Sequence, residues 1–348
     1  MRMIRGGLGV LVLCVGTNAW AQLAQAPGAN TQVSTDGSPA KAWQASVLMD
    51  HGFGTGNFLA NSAVREQNNR IVQTWMLGGG YDFKLLGQGF NAGISSVFSV
   101  LLTEPKRNPD RRFDPQWLSL SLSWEGWTEK HTGIHVSFSS SLLPPFSYSS
   151  WKDHRILDWQ NGLSLNRSFG KFNINVSSLI TKSFNSYSTS MQQQGVARES
   201  NITRNVGDSV VEIGSGQASP NFDLWNSITL TYRILPSWVI GYRLGVINAF
   251  RYALTDKRDA FTSPNADAGP GREDLLTYAV WTGYSFAGKN RIQGLPVDLT
   301  CNVGIRALHG AQSDDNKKIL WPLFYPAFAE NRAANNYGSA YVQIAANF

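Results

Sequence analysis

Apolar and polar side chains alternate along much of the chain. In segment 116–125 (QWLSLSLSWE), Leu118, Leu120, Leu122 and Trp124 alternate with three serines and Glu125. Because successive side chains of a β-strand point to opposite faces of its sheet, this segment is predicted to be a strand with one apolar and one polar face.

The same alternation predicts about twelve strands and an all-β fold. They are placed at 43–50, 71–83, 89–102, 116–127, 132–142, 156–169, 171–184, 222–235, 237–250, 274–286, 296–308 and 337–348. Strands of soluble proteins average about five or six residues, whereas a strand that crosses a bilayer needs about nine to eleven. Many of the predicted strands have this greater length, which favours a membrane-spanning sheet.

The connections between these strands alternate in length. The long ones are 51–70, 103–115, 143–155, 185–221, 251–273 and 309–336, and the short ones are 84–88, 128–131, 170, 236 and 287–295. Transmembrane barrels have short periplasmic turns and long extracellular loops. We therefore predict a single transmembrane antiparallel up-and-down β-barrel of about twelve strands, with both termini in the periplasm. A soluble domain would need a second sheet to cover the outward apolar side chains.

Aromatic side chains near the strand ends are predicted to form the two girdles at the membrane interfaces. They are Trp43, Tyr81, Trp117, Trp124, Trp127, Trp151, Trp159, Phe169, Phe172 and Trp238.

The N-terminus has the pattern of a secretory signal peptide. Arg2 and Arg5 precede an apolar stretch, and Ala19-Trp20-Ala21 forms a cleavage site before Gln22. The predicted organisation is a signal peptide at 1–21, a polar periplasmic segment at 22–40 and the barrel at 41–348.

Composition narrows the class of protein further. The 348 residues are 42% hydrophobic and 16% charged, include two cysteines and carry a net charge of +6. No apolar run reaches the roughly 20 residues of a membrane-spanning helix, and one cysteine left after signal cleavage excludes an internal disulfide. The small positive excess indicates no nucleic-acid partner. The scattered histidines and the lack of a phosphate-binding loop predict no metal and no cofactor.

The last residues carry a family resemblance. Val342, Ile344, Ala346 and Phe348 alternate with polar or small residues up to the C-terminus. This segment resembles the closing strand of bacterial outer-membrane β-barrel proteins. The resemblance implies an outer-membrane location, contact with outer-membrane lipid, and recognition of terminal Phe348 by the barrel-assembly machinery.

The polar faces of the strands would line the lumen of such a barrel. Their ionisable residues are predicted to be pore-lining: Arg243, Arg233, Arg306, Asp298, Asp223, Glu125 and His135. Arg243 falls near the middle of its strand, where a positive charge would raise the local concentration of anions. The alternative is that Arg243 pairs with a lumenal carboxylate and fills space.

Two connections are aromatic and rich in proline. Trp321, Phe324, Tyr325 and Phe328 lie in one of them, and Phe146 in the other. Exposed apolar patches mark binding surfaces. These side chains are therefore predicted either to fold inward and constrict the lumen or to bind a surface or lipoprotein partner.

An enzymatic function has weaker support. The sequence His135-Val136-Ser137 resembles the His-x-Ser of the outer-membrane phospholipase A family. That family's pair faces lipid and has a supporting Asn about twelve residues on, whereas here the pair is predicted to face inward and position 147 is Ser. Three hypotheses result: a narrow porin-like channel for small hydrophilic, possibly anionic solutes; an occluded barrel that acts as a scaffold or recognises a surface; and, as a minor alternative, an outer-membrane hydrolase.

Overall fold

The structure is a computed structural model. It describes residues 43–54, 71–103, 113–147, 150, 155–186, 189–192, 205–206, 209–210, 213–252, 272–286, 292, 297–310 and 338–348. The predicted signal peptide, the polar segment 22–40 and the aromatic stretch 319–328 lie outside these residues.

The described residues form one closed antiparallel barrel of twelve strands. The barrel strands are β1 (Trp43–Gly54), β2 (Ile71–Leu85), β3 (Gln88–Leu101), β4 (Phe113–Thr128), β5 (His135–Leu143), β6 (Arg155–Phe169), β7 (Phe172–Asn185), β12 (Pro220–Leu235), β13 (Trp238–Arg251), β14 (Arg272–Phe286), β15 (Asp298–Gly310) and β16 (Ser339–Asn347). Each strand pairs with its sequence neighbour in the barrel, and β1 pairs with β16 to close the ring. The predicted up-and-down barrel is therefore confirmed.

Four short strands lie in the connection between β7 and β12. They are β8 (Thr189–Gln192), β9 (Asn205–Val206), β10 (Ser209–Val210) and β11 (Ile213–Ala218). They form two separate two-stranded sheets, β8 with β11 and β9 with β10.

Most of the connections sort by length as predicted. Short turns join β2 to β3, β4 to β5, β6 to β7 and β12 to β13 at one end of the barrel. Leu86 and Gly87 form one of three two-residue turns at this end, and their positive φ angles of 53° and 78° are those that a type I′ hairpin turn requires. The six connections at the other end, which is the extracellular end in this class of barrel, have 11 or more residues. The β14–β15 connection (287–297), at the short-turn end, also has 11 residues.

The strand faces point as the alternation predicted. On β4, Leu120 and Leu122 are 49% and 47% exposed, whereas the serines between them lie on the inward face. An exposed belt of apolar side chains around a closed barrel is the arrangement that hydrocarbon solvates. No helix in the described part of the chain is long and apolar enough to cross a membrane.

Aromatic pairs mark the periplasmic edge of this belt. The ring centroids of Trp43 and Tyr81 are 4.8 Å apart, and those of Phe172 and Tyr232 are 4.7 Å apart.

Trp117 is an exception to the predicted girdle. It lies on the inward face, on the same side as the β4 serines, and packs in a buried cluster with Val97 and Leu143.

Candidate lumenal site

A line of paired residues crosses the lumenal face at the level of Arg243. Thr229 on β12 pairs with Arg243 on β13, which pairs with Ala279 on β14, which pairs with Arg306 on β15. Arg243 is half-buried, and its Nε donates a hydrogen bond to Thr229 Oγ1 at 3.1 Å. The strand register thus places two guanidinium groups on one face of neighbouring strands.

Arg306 is held in a buried ion pair with Asp50 on β1. Its Nη1 and Nη2 lie 2.8 and 2.6 Å from the two carboxylate oxygens. Asp50 is 1% exposed and Arg306 is 6% exposed. The bidentate geometry is the strong form of the arginine–carboxylate interaction, so the positive charge of Arg306 is matched locally.

Polar and aromatic neighbours complete this pair. Gln343 Nε2 donates to Asp50 Oδ2 at 3.3 Å, and Gln343 Oε1 accepts a hydrogen bond from Asn302 Nδ2 at 3.1 Å. The Arg306 guanidinium lies 4.7 Å from the centre of the Tyr341 ring. These groups connect β1, β16 and β15, where the first and last strands of the barrel meet.

Asp50 was not among the predicted lumenal residues. The predicted first strand ended at this residue, whereas β1 continues to Gly54. Leu48, Asp50 and Gly52 all lie on the buried face of β1. Continuation of the alternation through Gly52 is the signal that could have identified Asp50 from the sequence.

A second group of charges lies near the extracellular end. Arg155 pairs with Asp158 at 2.7 Å, and Arg251 pairs with Glu273 at 3.4 Å. Asp223, on the inward face of β12, lies within electrostatic range of all four residues. Asp223 therefore belongs to a nearly charge-balanced group of three carboxylates and two guanidinium groups.

The remaining predicted lumenal charges lie near the periplasmic end. Glu125, His135, Arg233 and Asp298 all fall close to the short-turn ends of their strands. The His135 ring Nδ1 lies 3.1 Å from Thr128 Oγ1. Their role as pore-lining residues stays a prediction.

Two buried apolar clusters narrow the extracellular half of the barrel. Met76, Val97, Trp117 and Leu143 form one on β2 to β5. Trp225, Ile247, Leu275 and Leu308 form the other on β12 to β15. In the strand order these two groups occupy opposite sides of the ring.

Small polar side chains cover much of the inward wall between β5 and β12. Asn175 Nδ2 donates to Ser164 Oγ at 2.7 Å, and the hydroxyl oxygens of Ser177 and Ser227 are 2.7 Å apart. Such side chains leave more lumenal volume than the apolar clusters do and present hydroxyl and amide groups to it.

The other predicted sites lie in strand β5, beyond its end, at the C-terminus and in the connection between β15 and β16. Phe146 is exposed beyond β5, and Trp321, Phe324, Tyr325 and Phe328 lie outside the described residues. Phe348 is exposed, and its backbone N–H donates to Ala45 O at 2.9 Å. His135 and Ser137 share the inward face of β5. No group of three or more His, Cys, Asp and Glu within the described residues could hold a metal ion.

Solved structures resemble this barrel at low sequence identity. The COG4313 outer membrane channel from Pseudomonas putida F1 has a TM-score of 0.51 and 9% identity, and the alignment covers 93% of this chain and 99% of that one. A Pseudomonas aeruginosa FadL homologue has a TM-score of 0.39 and 10% identity, with 88% and 89% covered. The NanC porin has a TM-score of 0.38 and 9% identity, with 87% and 98% covered.

No protein-family model matches the sequence, and no curated protein is similar to it. The class therefore rests on the fold. The closed twelve-stranded barrel, its apolar outer belt and the sorting of its connections define a bacterial outer-membrane β-barrel protein.

Proposed function

We propose that the protein is a narrow passive channel for small hydrophilic solutes, with a preference for anions. Twelve strands enclose a lumen wider than that of eight-stranded barrels, which side chains fill, and narrower than the aqueous channel of porins with sixteen strands. The hydroxyl and amide wall between β5 and β12 supports passage of hydrophilic solutes, because these groups can replace water contacts of the solute.

The observation that carries the anion preference is the inward position of Arg243 near the middle of β13. Within the described residues, this level of the lumen carries two guanidinium groups, Arg243 and Arg306, and one carboxylate, Asp50. Asp50 matches the charge of Arg306, and Arg243 adds a second guanidinium group at this level. A charge in a narrow space with low-dielectric walls raises the local concentration of counter-ions.

The test is ion selectivity in planar lipid bilayers. We expect the refolded protein to conduct and its reversal potential in a KCl gradient to indicate anion preference. Arg243→Ser should shift the reversal potential towards cations, whereas Arg233→Ser, at the periplasmic end, should shift it less. No conductance from folded protein would refute the channel, and unchanged selectivity of a conducting Arg243→Ser variant would refute the role of Arg243.

The alternative of an occluded barrel is favoured by one observation. The clusters around Val97 and Ile247 bury large side chains on opposite walls of the extracellular half. Such a barrel would act as a scaffold or would recognise a surface or lipoprotein partner through Phe146 and the stretch 319–328. It predicts no conductance and the loss of partner binding when residues 321–328 are replaced by Gly and Ser.

A hydrolase remains the minor alternative. His135 Nδ1 contacts Thr128 at the periplasmic end of the barrel. The side chains of His135 and Ser137 face the lumen and not the lipid. Ester turnover that survives Ser137→Ala would eliminate this reading.

A further inference from the structure

The apolar outer belt is interrupted by polar side chains on four adjacent strands. Ser140 on β5, Asn161 on β6, Ser178 on β7 and Asn226 on β12 all point outward near the middle of their strands. Ser140 is paired directly with Asn161, and Ser178 directly with Asn226. We call these four residues the amide patch.

The surroundings of the amide patch are apolar. Exposed aliphatic side chains lie two residues away on the same outward face of each strand. They are Leu142, Leu163, Ile180 and Ile228. The amide patch is therefore surrounded by side chains that suit the hydrocarbon interior of the membrane, and it lies away from the interfaces, where polar groups reach water.

The two carboxamides have unmet hydrogen-bonding capacity. Ser140 Oγ accepts a hydrogen bond from Trp159 Nε1 at 2.9 Å. Within the described residues, no hydrogen bond involves the side-chain amide of Asn161 or Asn226. Acyl chains offer neither donor nor acceptor, so each amide facing lipid would cost free energy. A protein surface that pairs with them would remove this cost.

We infer that the amide patch is a contact face between copies of this chain in the membrane. A carboxamide both donates and accepts, so the same patch on a second copy can satisfy it. Copies inserted in the same direction are related by rotation about the membrane normal, which preserves depth. Residues at one depth on one copy therefore meet residues at the same depth on the next, and interhelical amide pairs stabilise membrane helices in the same way.

The opposite side of the barrel has a different outer surface. Val342 on β16, Val47 on β1 and Leu77 on β2 point outward at mid-strand. Acyl chains solvate these side chains fully. The polar neighbours on this side are the hydroxyl of Ser96, which is paired with Leu77, and Gln73, whose amide already donates to Met49 Sδ at 3.2 Å. This side is the matched control for the amide patch.

Site-specific disulfide cross-linking in native outer membranes tests the inference. Cys301 also points outward, so all variants carry Cys301→Ser. Ile228→Cys lies beside Asn226 and leaves both amides intact, and Leu77→Cys lies on the opposite side of the ring. The two positions are comparably exposed, at 37% and 44%. We expect a mild oxidant to convert most of the Ile228→Cys protein to a covalent dimer and to leave the Leu77→Cys protein monomeric.

A second variant tests whether the two carboxamides, and not the surrounding outer surface, hold the copies together. Asn161→Leu with Asn226→Leu replaces both carboxamides of the amide patch by apolar side chains, leaves its two hydroxyls in place and should fold at least as well as the wild type. In lipid nanodiscs we expect the wild type to have the mass of an oligomer and this double variant that of a monomer, with loss of the Ile228→Cys cross-link. A monomeric wild type, equal cross-linking at both positions, or an oligomer that survives the double substitution would overturn the inference. None of these readouts depends on conductance, so they are independent of the proposed channel.

Discussion

The ion pair between Asp50 and Arg306 allows a quantitative test of how the barrel is closed. The pair is almost fully buried and joins β1 to β15 across β16, so it spans the closure between the two ends of the chain. Removing one partner of a buried pair leaves an uncompensated charge and costs about 3–5 kcal/mol. We expect this loss in the free energy of unfolding for Asp50→Asn and for Arg306→Gln.

The double variant separates pairing from mere loss of side-chain atoms. Asp50→Asn with Arg306→Gln leaves two neutral amides that can hydrogen-bond to each other and to Gln343. It should therefore be more stable than either single variant, with a favourable coupling of about 0.5–3 kcal/mol. The assay is reversible urea unfolding in lipid vesicles, followed by tryptophan fluorescence.

The control is Arg233→Gln, which removes an exposed inward charge and should change stability by no more than about 0.5 kcal/mol. Additive losses in the double variant, or single variants as stable as the control, would refute the reasoning.

Three further predictions concern charge, pH and backbone geometry. If the channel conducts, Asp50→Asn should increase anion selectivity and Arg306→Gln should decrease it. Reversal potentials that shift from the wild-type value in the same direction for both variants would contradict charge matching. In the turn after β4, the hydroxyl of Thr132 donates a hydrogen bond of 2.6 Å to the Glu129 carboxylate and lowers the pKa of that carboxyl. The contribution of Glu129 to stability is therefore present above its ordinary pKa and is lost as the pH falls through the lowered value. Wild type and Glu129→Gln should therefore differ slightly in unfolding at neutral pH and converge in acid, and a difference that grows in acid would be the wrong sign. Gly126 and Gly133 both have positive φ. Gly133→Ala should cost about 1–2 kcal/mol from backbone strain alone, because the space around Gly133 is open. Gly126→Ala should cost more, because its Cβ would also lie 2.0 Å from Val136 O, and equal unfolding midpoints of the two variants would contradict this.

The sequence predicted the barrel because its main determinant is local. Alternation with a period of two assigns each side chain to one of two faces, and the lengths of the connections assign each strand end to one side of the membrane. The serines of β4 and the outward Leu120 and Leu122 needed no knowledge of distant residues.

The candidate site depended on contacts that the local pattern does not encode. Asp50 and Arg306 are 256 residues apart in the chain and meet only because β1 and β15 both flank β16. Arg243 could be identified as a mid-strand inward charge, but its hydrogen bond to Thr229 depends on the register between β12 and β13. The buried position of Trp117 follows from the alternation, yet proximity to a strand end suggested the girdle.

By itself, the sequence therefore determined the fold class, the strand faces and the polar character of the lumen. The tertiary structure alone decided which charges neutralise each other, which large side chains cluster on opposite walls, and that Asn161 and Asn226 face outward two strands apart on the outer belt. The physical reason is that strand periodicity fixes the direction of a side chain, whereas its neighbours are fixed by inter-strand register and by the closure of the ring.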